Sequence, residues 1–429
     1  MMGSMPSLSG AASTEDADDV RPRVSLTLLS AQHALIHAQT ALLPLIFLAI
    51  IDEFDVGVDQ IGYLVAIGSL LSGAIQLGYG ALTRVVSRPA ILGVGGLVFG
   101  GGMAAMAATT SWLPFSVATI VSRLGGSPQH PVGNALLAEQ FRPERRSLAI
   151  SIHIAIGNLG TVAIPVVGGW VIATARWPTA ALAVGLPAIV VALAILLLVR
   201  EGGADREAAI AHGTTFQALR SLRSERELLW LFAASSVAAA GRGLGLVSTF
   251  VPLYLSLVLG LDTGTVAWMY MLLLVGSVPG PIVAGWLAER LGHRPVLIAT
   301  YVAGAASLAL FPLAGSNIPL VLVAIGFMSA FVFEESSLLQ GLLAEVTPPR
   351  IRDVAFSGYF TLMFGISAAW AAGLGALVGV LGNDAGLPIT FGIMAASYLV
   401  ASLVVSRVHE PARRRGPAHV EPAPDPGHG

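Results

Sequence analysis

The sequence predicts an all-α membrane protein of twelve transmembrane helices in two pseudo-symmetric six-helix bundles, and three observations predict it. Hydrophobic residues make up 55% of the 429-residue chain and charged ones only 11%, well under the charge of a soluble domain. Apolar runs of about 20 residues or more, each long enough to cross a hydrocarbon core of roughly 30 Å, recur along nearly its whole length. The arginines fall in alternate breaks between these runs, as in a chain that crosses a bilayer repeatedly with its basic loops on one side. The 49 glycines and 25 prolines suit closely packed membrane helices. Ten-residue apolar/polar alternation is absent from the sequence, so a β-barrel is not expected.

Residues 1–23 are polar and acidic, without the basic start, short apolar core and cleavage site of a signal peptide, and are expected to be a disordered cytoplasmic tail. The first bundle is placed at 24–200, with spans 1 to 6 at about 25–51, 59–83, 89–109, 112–140, 147–174 and 177–200. The one long polar interruption, 201–227, is the expected cytoplasmic central loop. The second bundle follows at 228–409, with spans 7 to 12 at about 228–258, 264–288, 295–315, 318–345, 354–381 and 386–408. Residues 410–429, rich in Pro, Arg and Gly, form a second disordered tail.

The breaks after spans 2, 4, 6, 8 and 10 hold Arg84 and Arg88, then Arg142, Arg145 and Arg146, then four central-loop arginines, then Arg290 and Arg294, then Arg350 and Arg352. The alternate breaks hold Asp52, Glu53, Asp55, Asp59, Asp262 and Asp384, with Arg176 as their one basic residue. Basic loops stay in the cytoplasm. Both termini are therefore expected inside, and the protein in a bacterial cytoplasmic membrane.

A repeat supports the two-bundle reading. Gly285 to Leu297 (GWLAERLGHRPVL), after span 8, has a counterpart after span 2 in Gly80 to Leu92 (GALTRVVSRPAIL), 205 residues earlier by the glycines and 206 by the Arg-Pro pairs. A duplicated six-helix unit predicts such a signature. Gly285, Glu289, Arg290, Gly292 and Arg294 closely resemble the G-x-L-a-D-R-x-G-R-R loop of the major facilitator superfamily. Gly80, Arg84 and Arg88 resemble it loosely, because Arg84 stands where the family has an acid and Ser87 where it has Gly. The resemblance implies that the loop glycine lets two helices approach, and that its charges form a cytoplasmic network which breaks as the halves rock. Arg123, in IVSRLGG of span 4, is similar to the family's buried span-4 arginine. Gly160, Pro165, Gly168 and Gly169 resemble the span-5 pattern of proton-coupled antiporters, from which Ile164 departs. Over a few short stretches, His33 and His37 ahead of LLPLIF and Gly126 to Pro131 in span 4 look like the fosmidomycin-resistance group of efflux carriers.

Ionisable residues inside spans cost about 2.5–3.5 kcal/mol each on insertion scales, so each needs a reason. Arg123 offers a fixed charge for an anion or for tuning a proton carrier; a purely structural arginine is the alternative. Arg242 lies among Gly241, Gly243 and Gly245, which give room for substrate or for a helix break. Glu334 and Glu335 are adjacent in span 10, about 100° apart on a helix, so they cannot both face one wall. One of them is expected to hold a proton, since burial disfavours the charged carboxylate; an ion pair with Arg242 or Arg123 is the alternative. His33 and His37, at i and i+4, share one helix face. That spacing can chelate a metal, but no third ligand is evident along the chain, and no metal site is expected. His130 shares the face of Arg123, and His153 and Asn158 of span 5 are weaker candidates.

The sequence has no cysteine, no P-loop and no H-E-x-x-H cluster, so neither an enzyme nor ATP-driven pumping is expected, and no cofactor or nucleic-acid partner. The resemblance implies a secondary transporter, expected as a monomer in the lipid bilayer, that alternates access to a small solute between its halves. Proton-coupled efflux is the leading expectation. Uptake or exchange of an organic anion is its rival, and a non-transporting sensor or assembly partner is the alternative from another class.

Overall fold

The computed structural model describes residues 20–202, 225–347 and 352–409, and all regular structure among them is helical. Both tails, and all but the edges of the central loop, lie outside the described residues. Span 1 is Pro22–Phe54; it stops at Asp55, which turns left-handed (φ 52°) with its N–H on the Ile51 carbonyl. Span 2, Val58–Leu82, starts where the Gln60 side chain accepts from the Gly57 N–H at 3.3 Å. Span 3 is Arg88–Ala107, with a proline in its first turn. Spans 5 and 6 form one helical run, Pro143–Leu198, turned at Arg176 (φ 69°). That turn is fixed to the end of span 1: Arg176 pairs with Glu53 Oε1 at 3.0 Å, and Trp177 Nε1 donates to Glu53 Oε2 at 2.8 Å. Spans 9, 11 and 12 are His293–Leu313, Arg352–Leu381 and Asn383–Val405.

Four spans are interrupted. Span 4 comprises Trp112–Gly126, a 3-10 turn at Ser127–Gln129, and Pro131–Gln140. Span 7 comprises Arg226–Ala238 and Ser248–Leu257, parted by a stretch in which Gly245 has φ 138°. Span 8 divides into Thr263–Val275 and Pro279–Leu291, and span 10 into Ile318–Phe331 and Glu335–Val346. Irregular backbone at membrane depth needs partners inside the protein, and the breaks supply one another. Gly243 N–H donates to the Val332 carbonyl at 3.0 Å, joining spans 7 and 10. Gly276 N–H donates to Ser329 Oγ at 2.9 Å, joining spans 8 and 10. Ten helical stretches among the described residues, three of them the interrupted spans 7, 8 and 10, are long and apolar enough to cross a membrane. Twelve spans are counted as ten because Leu148–Leu198 carries two of them and the pieces of span 4 are each too short.

Within the first half, span 3 packs on span 6 through Gly93, Gly96 and Gly100, which lie against Leu196, Ala192 and Gly185. In the second half, Gly304 of span 9 lies against Tyr398 of span 12. Small residues also join the halves: Gly62 meets Ala371 and Gly375, Gly379 meets Asp59, and Gly169 meets Ala267. These contacts lie toward the end that carries the acidic loops. At the arginine-rich end, a Cβ added at Gly78, Gly80 or Gly285 would meet nothing within 4 Å. The expected approach of helices at Gly80 and Gly285 is thus not made in this conformation, because the halves meet toward the opposite end.

The arginine-rich end is tied down within each half instead. The Arg88 side chain, only 6% exposed, pairs with Glu139 of span 4 and with Glu201 at 3.2 Å. In the second half His293 Nδ1 lies 2.9 Å from Glu345 Oε1. Glu345 follows Glu139 by the same 206 residues that separate His293 from Ser87. The repeat therefore extends from the loop to its partner on spans 4 and 10.

Candidate functional site

In the second half, the breaks in spans 7 and 10 bring Arg242 onto Glu335. Arg242 Nε donates to Glu335 Oε2 at 2.7 Å and Nη2 to Oε1 at 2.9 Å, with side chains 10% and 0% exposed. Nη2 also reaches Ser235 Oγ at 3.3 Å. The forked geometry suits a guanidinium and a carboxylate. Glu335 opens the lower half-helix of span 10, where unpaired N–H groups favour a negative charge. Tyr301, Tyr359 and Tyr398 lie buried within electrostatic reach of the pair, and the hydroxyls of Tyr301 and Tyr398 have no hydrogen-bond partner among the described residues.

Glu334 is placed differently. It is 3% exposed, Oε2 accepts from its neighbour Phe333 N–H at 3.2 Å, and Oε1 is buried with no hydrogen-bond partner. Gly280 leaves space for it, since a Cβ there would collide with Oε1. Of the adjacent acids, Glu335 is committed to Arg242, while Glu334 has no cation to hold it ionised among the described residues.

The first half is the electrostatic converse. Arg123 is half-buried, its stem against Gly68 and its Nη2 3.4 Å from Ser69 Oγ, with no carboxylate partner among the described residues. Nearby in sequence, the span-4 break carries His130 toward span 1. The ring of His33 lies 4.4 Å from that of His37, 4.8 Å from His130 and 4.3 Å from His153, centroid to centroid. One ring nitrogen from each of His33, His37 and His130 falls within 4.8 Å of the others. The sequence showed no third histidine beside the i, i+4 pair; the fold brings His130 there, from a segment about a hundred positions away. Asn158 Nδ2 donates to the Ser277 carbonyl across the halves at 3.4 Å.

The span-5 glycines are contact surfaces. Gly160 lies against the Ala34 backbone of span 1, Gly168 against Leu42, and Gly169 against Ala267 of span 8; Pro165 lies inside the helix between them. Span 5 is thereby held between span 1 and the other half. Gly160→Val places its Cβ on a backbone carbonyl that no rotamer can move. It is expected to lower the yield of monodisperse protein severely, read by size exclusion in detergent, whereas Gly101→Val, where nothing lies within 4 Å, should behave as wild type.

At the loops, Gly292 (φ 101°) ends span 8 in a conformation that disfavours any other residue, its N–H on the Ala288 carbonyl. Arg290 stacks over Trp286, 3.8 Å from the ring centroid. Arg84 and Glu289 are exposed, and Arg294 is partly buried.

The sequence profile of the Major Facilitator Superfamily matches residues 29–333 and 234–426. The chain belongs to the major facilitator superfamily. It is 23% identical over 375 residues to the cis,cis-muconate transport protein of Acinetobacter baylyi, covering 82% of this chain and 86% of that one. It is also 27% identical over 247 residues to an MFS-type efflux pump of Mycolicibacterium smegmatis, covering 56% of each. Among solved structures, a D-xylose-proton symporter shares the fold with a TM-score of 0.73 at 14% identity, over 90% of this chain and 97% of that one. This superfamily member is a multi-pass membrane protein of a small-solute transporter family.

Several site features escaped sequence reading. The three tyrosines looked like ordinary span residues, and Gly280 was one glycine among many. Only the pairing of Arg242 with Glu335 marks the tyrosines, and only the Glu334 carboxyl marks Gly280.

Proposed function

We propose that this superfamily member moves a small organic anion together with a proton across the bacterial cytoplasmic membrane. Arg123 anchors the anion, Glu334 carries the proton, and both termini face the cytoplasm. The observation that carries the reading is the charge imbalance between the halves. Arg242 is neutralised by Glu335, whereas Arg123 has no carboxylate partner among the described residues. A fixed positive charge without a counter-ion in a low-dielectric site favours an anionic ligand. Muconate, named for one relative, is a dicarboxylate and fits that chemistry.

The sign of coupling follows. In this reading, protonating Glu334 removes a negative charge from the protein interior and so strengthens anion binding at Arg123. By reciprocity the bound anion favours the proton, typically by about 5–150-fold for such couplings. Two ligands that assist each other travel together. Under an inward proton gradient this gives uptake by symport. A cationic solute would compete with the proton and give antiport instead. That second reading has the contact-making span-5 glycines and the efflux-pump relative in its favour.

The test uses sealed vesicles carrying the purified protein with a pH dye inside, to which muconate, benzoate, nicotinate or a cationic dye is added. The expected result is acidification of the lumen with a carboxylate, lost in Glu334→Gln while labelled anion still exchanges, and loss of both in Arg123→Ala. Alkalinisation with the cationic dye and silence with every carboxylate would replace symport by antiport.

A further inference from the structure

The histidine group has a use that the transport reading leaves unassigned. His33 is 1% exposed. Its Nδ1 lies 3.1 Å from the carbonyl of His153, which can only accept, so Nδ1 carries the proton and Nε2 presents a lone pair. That Nε2 is buried with no hydrogen-bond partner. His37 Nδ1 lies 3.0 Å from Thr161 Oγ1, a hydroxyl that can donate or accept. The carbonyl thus orients the His33 ring through Nδ1, as metal-ligating imidazoles are commonly oriented, and Thr161 anchors His37 through Nδ1. His130 is the exposed member, so the group is closed on the span-1 side and open on the other. No Asp or Glu lies between Asp59 and Glu139 or within span 1 ahead of Asp52, so no carboxylate on spans 1 to 4 is placed to make an imidazolium favourable, and Arg123 stands two turns from His130. A proton-sharing role fits poorly there.

We infer that His33, His37 and His130 form a binding site for a first-row divalent transition-metal ion such as Zn²⁺ or Co²⁺, with at least one coordination position left open. Three neutral imidazoles suit such ions and do not suit Mg²⁺ or Ca²⁺, which take oxygen ligands. Tetrahedral coordination at about 2.1 Å sets ligand nitrogens about 3.4 Å apart. The present spread is up to 4.8 Å, so binding requires the rings to draw together, and His130 sits at the start of a half-helix next to a 3-10 turn. Arg123 would repel a bare cation, but the open position takes water or an anionic group, which Arg123 favours. The inference stands whether or not the anion-symport reading does.

The test is Co²⁺ titration of tag-free, full-length protein in detergent, followed by visible absorption, with Zn²⁺ added to displace it. One equivalent per chain is expected, with the intense bands of a four- or five-coordinate site, bleached by Zn²⁺. His33→Ala, His37→Ala and His130→Ala should each weaken binding by about 10–100-fold or more. His153→Ala removes a ring that is not a ligand and should retain the spectrum, and His409→Ala, at the far end of the chain, should match wild type. Size-exclusion profiles show which variants fold, and the wild-type spectrum decides the matter without them. Absence of saturable Co²⁺ binding to wild type, or binding that survives the triple substitution, overturns the assignment.

Discussion

Glu335→Ala is expected to destabilise the second half more than any other single substitution of a polar residue in the spans. The Arg242–Glu335 pair is almost fully enclosed, with Glu335 inaccessible and Arg242 side-chain exposure of 10%. Removing one partner leaves an uncompensated buried charge, which costs about 3–5 kcal/mol. Spread over a unit of this size, that is a fall in melting temperature on the order of 10 °C. Lost packing alone would give a smaller change, and a second variant separates the two causes. Arg242→Met with Glu335→Leu removes both charges, and buried pairs exchanged for apolar residues are often neutral or stabilising. The double variant should therefore melt near wild type, with a coupling of several kcal/mol in the cycle. Tryptophan fluorescence during heating in detergent reads wild type, Glu335→Ala, the double variant, and the Arg242→Met and Glu335→Leu single variants that close the cycle. If the double variant is as unstable as the single one, the charge pair is not what the fold depends on.

Why Glu335 and not Glu334 takes this role could not be read from FVFEESS. The two acids are adjacent, and sequence gives only their angular separation. The choice is made by the breaks in spans 7 and 10, joined by Gly243 N–H on the Val332 carbonyl. The span-7 break is legible in Gly241, Gly243 and Gly245. That of span 10 is not, because no Gly or Pro marks it and its cause lies in another helix. The twelve spans and the turn at Arg176 are legible because hydropathy and charge placement are local properties. His130 shows the opposite case: seven residues after Arg123 it shares that residue's face on an ideal helix, but Pro128 and the 3-10 turn re-aim it toward span 1. Side chains meeting across helices depend on such irregularities, and periodicity does not record them.

Gly285→Leu is expected to leave stability unchanged and to abolish most transport. In this conformation a side chain at Gly285 enters open space, so nothing in the present state opposes it. Alternating access requires a second state in which the arginine-rich ends of the halves come together, and the loop resemblance implies that helices approach at Gly285. Leucine would then overpack that contact, at about 1–3 kcal/mol or more. Since roughly 1.4 kcal/mol is a factor of ten in population, occupancy of the closed state should fall about tenfold or further. The chain has no cysteine, so spin labels at Leu148→Cys and Leu291→Cys, both exposed at this end, report the separation without background. Wild type should show a long distance and, with solute present, a shorter one. The Gly285→Leu protein should keep only the long one while its melting temperature stays at the wild-type value. Retention of both distances and of transport would mean that the halves close elsewhere. A lower melting temperature would mean that the glycine is already packed against a neighbour.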